Sequence, residues 1–253
     1  MKQVQQQVSA DEWQARIDLA AAYRLVHRYG MTDLIYNHIT SRIPGTELLL
    51  INAFGYLYNE ITASNLITVD LDGNVVFAPS DSHGYGLNQA GIVIHTAVHK
   101  ARHDVQCVMH THARASMAVS AMEEGLLPLT QTAMRFYGRL GYHDYESVAI
   151  DLDEEARLVA DLGEHRAMIL RNHGLLAVGP TVAEAFNTLY WLEMACKAQV
   201  DAMAGGRALH LPPEPVRVKT ALMYHPDTRR RFGLLEWPAM LRELDRTDPS
   251  YRH

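Results

Sequence analysis

His110-Thr111-His112 places two imidazoles one residue apart at the end of an apolar, β-rich stretch that begins at Val105. Alternate side chains of an extended chain face the same side, so both rings can address one point. Two neutral imidazoles so placed suit a first-row divalent ion, at about 2.0–2.1 Å per nitrogen for zinc. The chain holds 14 His in 253 residues. Random placement then yields roughly 0.7 such pairs, so the spacing alone decides little. Context adds weight. An imidazole is costly to bury without a partner, and these two close a hydrophobic segment. His173 follows a second apolar segment and stands between Asn172 and Gly174, where backbone must approach something closely. The reading is a metal site at His110, His112 and His173, weighed against histidines that merely satisfy the core or surface.

His95, His99 and His103 form a competing set, spaced by four on one helical pattern. Such spacing can chelate, but the zinc-protease form needs Glu directly after the first His, and Thr96 stands there. Lys100 and Arg102 suggest a solvated face for His99 and His103. His95 lies on the apolar stripe and reads as a hydrogen-bonded core residue, with a fourth ligand or a proton shuttle as the alternative. No nucleophile elbow, P-loop or dinucleotide fingerprint is present, and Gly84-Tyr85-Gly86 lacks the third glycine. Ser116 and Ser120 read as helix surface and packing.

The elements that must position these residues follow from periodicity and punctuation. Ser9-Ala10-Asp11-Glu12 has capping-box form, and Trp13, Ile17, Ala20, Ala21 and Leu25 continue at helical spacing to Gly30. Ile39, Ser41 and Ile43 alternate like a strand, Leu48 to Ile51 reads as another, and Asp72-Gly73 marks a hairpin within Val69 to Phe77. Pro79 to Leu87 reads as a loop and Asn88 to Arg102 as a helix. Val105 to His112 reads as a buried strand, Ser116 to Glu123 as a short helix, and Pro128 to Asp144 has no clear pattern. Glu154 to Leu162 reads as a helix. Strands at Ala167 to Leu170 and Leu175 to Val178 flank the His173 turn, and Thr181 caps a long helix through about Ala204. Pro212, Pro213 and Pro215 suggest an extended arm that ends in a short helix. Short turns between neighbouring strands favour a mostly antiparallel sheet flanked by helices over a doubly wound parallel one.

The whole-chain numbers bound the function class. With 48% hydrophobic and 21% charged residues the chain is an ordinary globular protein, long enough for a large core. Lys and Arg number 23 against 29 Asp and Glu, for a net charge of −6. Without a basic excess, nucleic acid and anionic membrane are poor partners. Apolar runs are too short to span a bilayer, and Met1 to Val8 is Gln-rich with no signal-peptide core. Cys107 and Cys196 alone cannot build a cysteine zinc site or a disulfide framework, which points to a reducing cytoplasm.

Cys107-Val108-Met109-His110-Thr111-His112 and Leu170-Arg171-Asn172-His173-Gly174 together resemble the class II aldolase/adducin family, in its adducin-like bacterial branch. Asn37-His38-Ile39-Thr40, Asn52-Ala53-Phe54-Gly55 and Asn88-Gln89-Ala90-Gly91 extend the likeness, which covers about Ala10 to Ala204. Arg135-Phe136-Tyr137 and Tyr142-His143-Asp144-Tyr145 add to the adducin-like impression. The resemblance implies an α/β fold of α/β/α layers, with a largely antiparallel central sheet in a single class II aldolase-like domain over residues 1–204. Residues 205–253 would be a C-terminal arm packed on that domain or on a neighbouring subunit. It further implies a divalent metal on His110, His112 and His173, zinc first with manganese or iron possible, and homotetramers whose sites lie between subunits.

Departures from the family pattern narrow the chemistry. Sugar-phosphate aldolases of this family carry an acidic catalytic residue where this chain has Gly91, and phosphate-binding Thr-Gly and Ser-Ser pairs where it has Phe54-Gly55 and Gln89-Ala90. Thr132 or a neighbour replaces their catalytic Tyr. A phosphate dianion needs several strong donors, so the expected substrate is a small, unphosphorylated hydroxy or keto carboxylic acid. The expected activity is metal-dependent carbon–carbon lysis, of decarboxylase or aldolase type, through a metal-stabilised enediolate. Without an acid at Gly91, decarboxylation is favoured, because the departing CO2 leaves its electron pair and needs no proton-abstracting base. Tyr137, Tyr142 and His143, with Asp144 beside them, are candidates for later proton delivery. Asn37, Phe54, Gly55, Gln89, Gly91 and Arg135 are candidates for substrate binding, Arg135 as a bidentate carboxylate clamp or in an ordinary salt bridge. The alternatives are a non-haem Fe(II) oxygenase on the same fold and a non-catalytic adducin-like binding module. Adducins bind spectrin and actin through a basic tail that this sequence does not show.

Overall fold

The computed structural model describes residues 4–80, 86–146 and 152–253. The Gly84-Tyr85 pair and the Ala90 side chain lie outside the described residues. Helix α1 (Ala10–Arg28) begins where the Ser9 hydroxyl accepts a hydrogen bond from the Glu12 amide at 3.1 Å. Strands β1 (His38–Arg42), β2 (Leu49–Asn52), β3 (Leu66–Val69) and β4 (Val75–Phe77) follow. The β3–β4 turn is held by Asp70, whose carboxylate accepts from the amides of Asp72 and Asn74, and by Gly73 at φ +82°. Helix α2 (Gln89–Ala101) is capped by Asn88 and leads through β5 (Cys107–Thr111) to α3 (Arg114–Ser120). The stretch without clear pattern holds a 3-10 turn (Ala133–Phe136) and β6 (Gly141–His143). Then come α4 (Leu152–Leu162), β7 (Ala167–Leu170), β8 (Gly174–Gly179) and the long α5 (Val182–Met203).

All eight strands form one sheet in the order β4-β3-β2-β1-β5-β8-β7-β6. Every neighbouring pair is antiparallel except β6 with β7. Strand alternation divides the core into two layers. Cys107 and Met109 of β5, with Leu175 and Ala177 of β8, join the larger cluster with α1 and α5. Val108, Leu176 and Val178 face the other way, onto Ile94 and Val98 of α2 and Leu158 and Leu162 of α4. The result is a helix–sheet–helix sandwich. The same alternation turns His38 and Thr40 of β1, and His110 of β5, toward α2.

The segment after Gly206 departs from the extended arm expected of its prolines. It forms α6 (Glu214–Met223), α7 (Trp237–Thr247) and a closing 3-10 turn (Pro249–Arg252). Pro215 and Pro238 sit in the first turns of their helices, where a missing N–H costs nothing and the fixed φ suits the helix. This segment folds back on the domain. The Trp237 indole donates to Asp18 at 3.0 Å, Arg24 pairs with Asp248 at 2.6 Å, and the Ala63 amide donates to the Tyr251 carbonyl at 2.9 Å.

Candidate metal centre

Three imidazoles converge where β5 and β8 end. Nε2 of His112 lies 2.7 Å from Nε2 of His110 and 2.8 Å from Nε2 of His173. Their outer nitrogens settle the tautomers. Nδ1 of His110 lies 2.8 Å from the Leu175 carbonyl and Nδ1 of His112 lies 3.1 Å from a carboxylate oxygen of Asp33. A carbonyl or carboxylate only accepts, so both Nδ1 atoms donate and both Nε2 atoms present bare lone pairs to each other. Such a contact repels unless a cation lies between. Protonation of His110 and His173 is disfavoured. Burial, with the neighbouring imidazoles adding to it, holds His110 well below the usual range and His173 down to about 4. The donor set therefore fits a divalent ion, with His110 and His112 oriented by second partners.

Local backbone brings the third ligand in. Asn172 adopts φ +55°, and its amide donates to the Ser120 carbonyl at 3.1 Å. A Cβ on Gly174 would stand 2.3 Å from the Thr111 carbonyl oxygen, so only glycine lets β8 start this close to the end of β5. On the other side, the Asn37 side-chain oxygen accepts from the Asp33 amide at 2.8 Å and so holds the loop that presents Asp33 to His112. Leu34 within that loop is left-handed at φ +47°. The Asn37 amide nitrogen is buried and has no partner among the described residues.

His38, quoted only as part of a sequence match, is the residue that spacing did not single out. It pairs across the sheet with His110, their ring centres 4.9 Å apart. A hydrogen-bonded chain leads away from it: His38 Nδ1 to His95 Nε2 at 2.8 Å, His95 Nδ1 to the Thr40 hydroxyl at 2.7 Å, and that hydroxyl to His99 Nε2 at 2.9 Å. His95 is thus a hydrogen-bonded core residue. His99 is fully buried rather than solvated, because the α2 face that carries it packs on Thr40 and Arg42 of β1. His103 alone of that set is exposed. Burial pushes His38 and His95 well below the usual imidazole range and His99 to about 3. Gly91 abuts this chain. A Cβ there would lie 2.4 Å from the His38 ring, so His38 fills the space a side chain at residue 91 would need. Strand parity on β1 was the signal that could have found it.

The remaining candidates separate into two groups. Gln89 and Gly91 lie in the first turn of α2, and Phe54 reaches the segment just before it. There the Phe54 amide donates to the Gly86 carbonyl at 3.0 Å and the Phe54 ring lies 6.2 Å from Tyr36. Gln89 is exposed, and Gly55 takes φ +103°. His143, Asp144 and Tyr145 share a small cavity of about 10 Å³ with His173, Arg171 and Glu154. His143 Nδ1 bonds Asp161 at 2.8 Å, and its Nε2 lies 3.6 Å from Glu154. Tyr142 turns elsewhere: its hydroxyl accepts from the Leu126 amide at 3.0 Å and its ring carries the Arg171 guanidinium at 4.5 Å. The Tyr137 ring packs on Arg217, 5.0 Å from the guanidinium. Arg135 is enclosed by Trp191, Tyr224 and Phe232, at 4.4, 4.1 and 5.6 Å from the ring centres. It forms no salt bridge with any described residue, and the aromatic rings pack against its planar guanidinium.

The family model described as class II aldolase and adducin N-terminal domain matches residues 17–200. An aldolase II superfamily protein of Pseudomonas syringae, known from its crystal structure, is 48% identical with a TM-score of 0.93 and full coverage of both chains. An L-fuculose 1-phosphate aldolase from Glaciozyma antarctica is 27% identical with a TM-score of 0.83, covering 96% of this chain and 94% of its own. Rat alpha-adducin is 40% identical over 94% of this chain, which corresponds to 34% of the adducin.

Proposed function

Because the chain belongs to the class II aldolase and adducin family, we propose that it is a divalent-metal-dependent lyase. The bond cleaved is carbon–carbon, in a small unphosphorylated hydroxy or keto carboxylic acid. The observation that carries this reading is the pair of bare, facing Nε2 atoms on buried His110 and half-buried His112, with His173 beside them. These three imidazoles would hold a divalent ion, zinc before manganese or iron, which would supply a Lewis acid.

The chain's own residues define what else the site does. Asn37 offers a free amide N–H as a donor to substrate. Phe54 contributes an apolar ring where a phosphate would need donors, and a dianion desolvated there would recover few hydrogen bonds. Gly91 supplies no acid, and the space it leaves is filled by the His38 imidazole. With Nδ1 engaged by His95, His38 keeps Nε2 as the atom able to hold or return a proton. His143 stands in the second position for that task, across the small cavity from His173. Loss of CO2 suits this set, since the first step needs an electron sink and only the later one a proton donor.

The same reading takes the protein as a cytoplasmic homotetramer with sites near subunit boundaries. Its support is the large side chains left exposed near the centre, Leu34 at 68%, Tyr36 at 50% and Tyr145 at 54%. Both cysteines are free and buried, as a reducing compartment allows. Among the described residues no helix is long and apolar enough to cross a membrane.

The test is turnover by the metal-loaded protein of fuculose and rhamnulose phosphates beside dihydroxy aromatic acids and branched hydroxy acids. CO2 release without O2 from a carboxylated substrate is expected. Efficient aldol cleavage of a sugar phosphate would overturn the substrate reading, and an absolute need for O2 with iron bound would move the protein to the oxygenase class.

A further inference from the structure

A second cavity, of about 210 Å³, opens between the end of α1, the first half of α5 and the C-terminal segment. The His triad is not among its lining residues. Phe186, Tyr190 and Trp191 of α5 line it at helical spacing, with Tyr29 and Trp237 opposite. A water occupies about 30 Å³ of liquid, so this space exceeds any ordinary packing defect. Its rings already contact one another edge-on or tilted: Tyr29 with Tyr190 at 4.9 Å, Phe186 with Trp237 at 5.8 Å.

Asn187 is nine-tenths buried, yet its amide makes no hydrogen bond with any described residue. Its amide lines the cavity with both Oδ1 and Nδ2 unengaged, so both remain available to an occupant's edge. Charge narrows the class. The only ionised group in the lining, Glu236, is engaged by the Arg230 guanidinium and by the Gly233 amide at 2.9 Å, so the lining offers no free charge to an ionic ligand.

We propose that this cavity is a binding site for a neutral, planar heteroaromatic ring whose edge carries a donor beside an acceptor, as a nucleobase does. The rings take the faces of the ligand, and Asn187 takes its edge through Oδ1 and Nδ2. Asn pairs with adenine in this two-point fashion elsewhere.

Adenine and benzene are the probes, read by the fluorescence of Trp191 and Trp237 and by Tm. Adenine should quench saturably and raise Tm equally in metal-loaded and chelator-stripped protein, which keeps this test apart from that of the lyase reading. Asn187→Leu should weaken adenine about tenfold or more by removing the two-point contact, while benzene binding persists. Asn187→Asp, closer in shape, serves if the leucine variant does not fold, and it should also weaken adenine. Unchanged adenine affinity in either variant overturns the proposal. So does failure of adenine to bind, including the case where tryptophan emission changes only on dilution because a second copy of the chain fills the cavity.

Discussion

At the scale of single residues the centre depends on how His110 and His112 are held from behind. His112 is oriented by one carboxylate, Asp33, which is itself fixed by Asn37. Removing such a partner typically lowers metal affinity by about 10–100-fold. Asp33→Asn should therefore bind zinc more weakly by that order in a competition titration with a chelator, while His112→Ala should lose stoichiometric metal altogether. Metal retained in full by His112→Ala would remove the site from consideration. Gly91 offers a sharper case. In Gly91→Ala the new Cβ meets the His38 ring within bonding-scale distance, at 2.4 Å, with the ring tied to His95 behind it. Overpacking of this kind costs about 1–3 kcal/mol. Denaturant unfolding should show that loss, and turnover should fall with it if His38 handles the proton. A fully stable, fully active Gly91→Ala would show that the His38 ring is free to move aside.

At the scale of elements, much of the frame was readable because local signals agreed with tertiary ones. Ser9, Asn88 and Thr181 cap the helices their positions implied, and Asp72-Gly73 turns the β3–β4 hairpin. Periodicity located β5 and β8, and with them the convergence of His110, His112 and His173. What stayed hidden depends on neighbours distant in sequence. Lys100 and Arg102 beside His99 look like a wet helix face, yet α2 lays that histidine on Thr40 of a strand almost sixty residues earlier. Arg135 carries no sequence mark of the aromatic residues that enclose it, two of which arrive with the C-terminal segment. The prolines read as an arm instead open α6, which packs on the 3-10 turn at Ala133–Phe136. The β5–β8 junction supplies a prediction at this scale. Gly174→Ala puts a methyl 2.3 Å from a backbone oxygen that cannot swing away as a side chain could. The two strand ends must part, so this variant should lose metal and stability together, even though residue 174 is not a ligand. Unaltered metal content by elemental analysis would contradict that coupling.

For the molecule as a whole, the unusual feature is how many histidines are folded in as neutral bases. His38, His95, His99, His110 and His173 are all held below the ordinary value of 6.5, with burial the largest cause in each. The sign of the consequence follows from proton counting. Below pH 6.5 the unfolded chain takes up protons at these positions while the folded chain does not, so the unfolded state binds more protons and stability falls as pH falls. Each group contributes until the pH passes its folded value, about 3 for His99 and about 4 for His173. One pKa unit is worth about 1.4 kcal/mol, so a single buried imidazole costs about 2 kcal/mol between pH 6.5 and 5. Several acting together form a large fraction of a domain's stability. Urea unfolding should therefore show a plateau near neutrality and a steep loss beginning just below pH 6.5, well above the range where carboxylates titrate. His99 isolates the effect, since it lies at the far end of the chain that starts at His38. His99→Gln, if it keeps the bond to Thr40, should flatten the acid limb by about one proton while leaving metal content intact. An acid limb that begins only near pH 4, or one that His99→Gln leaves unchanged in slope, would mean that these imidazoles reach solvent and titrate in the folded state.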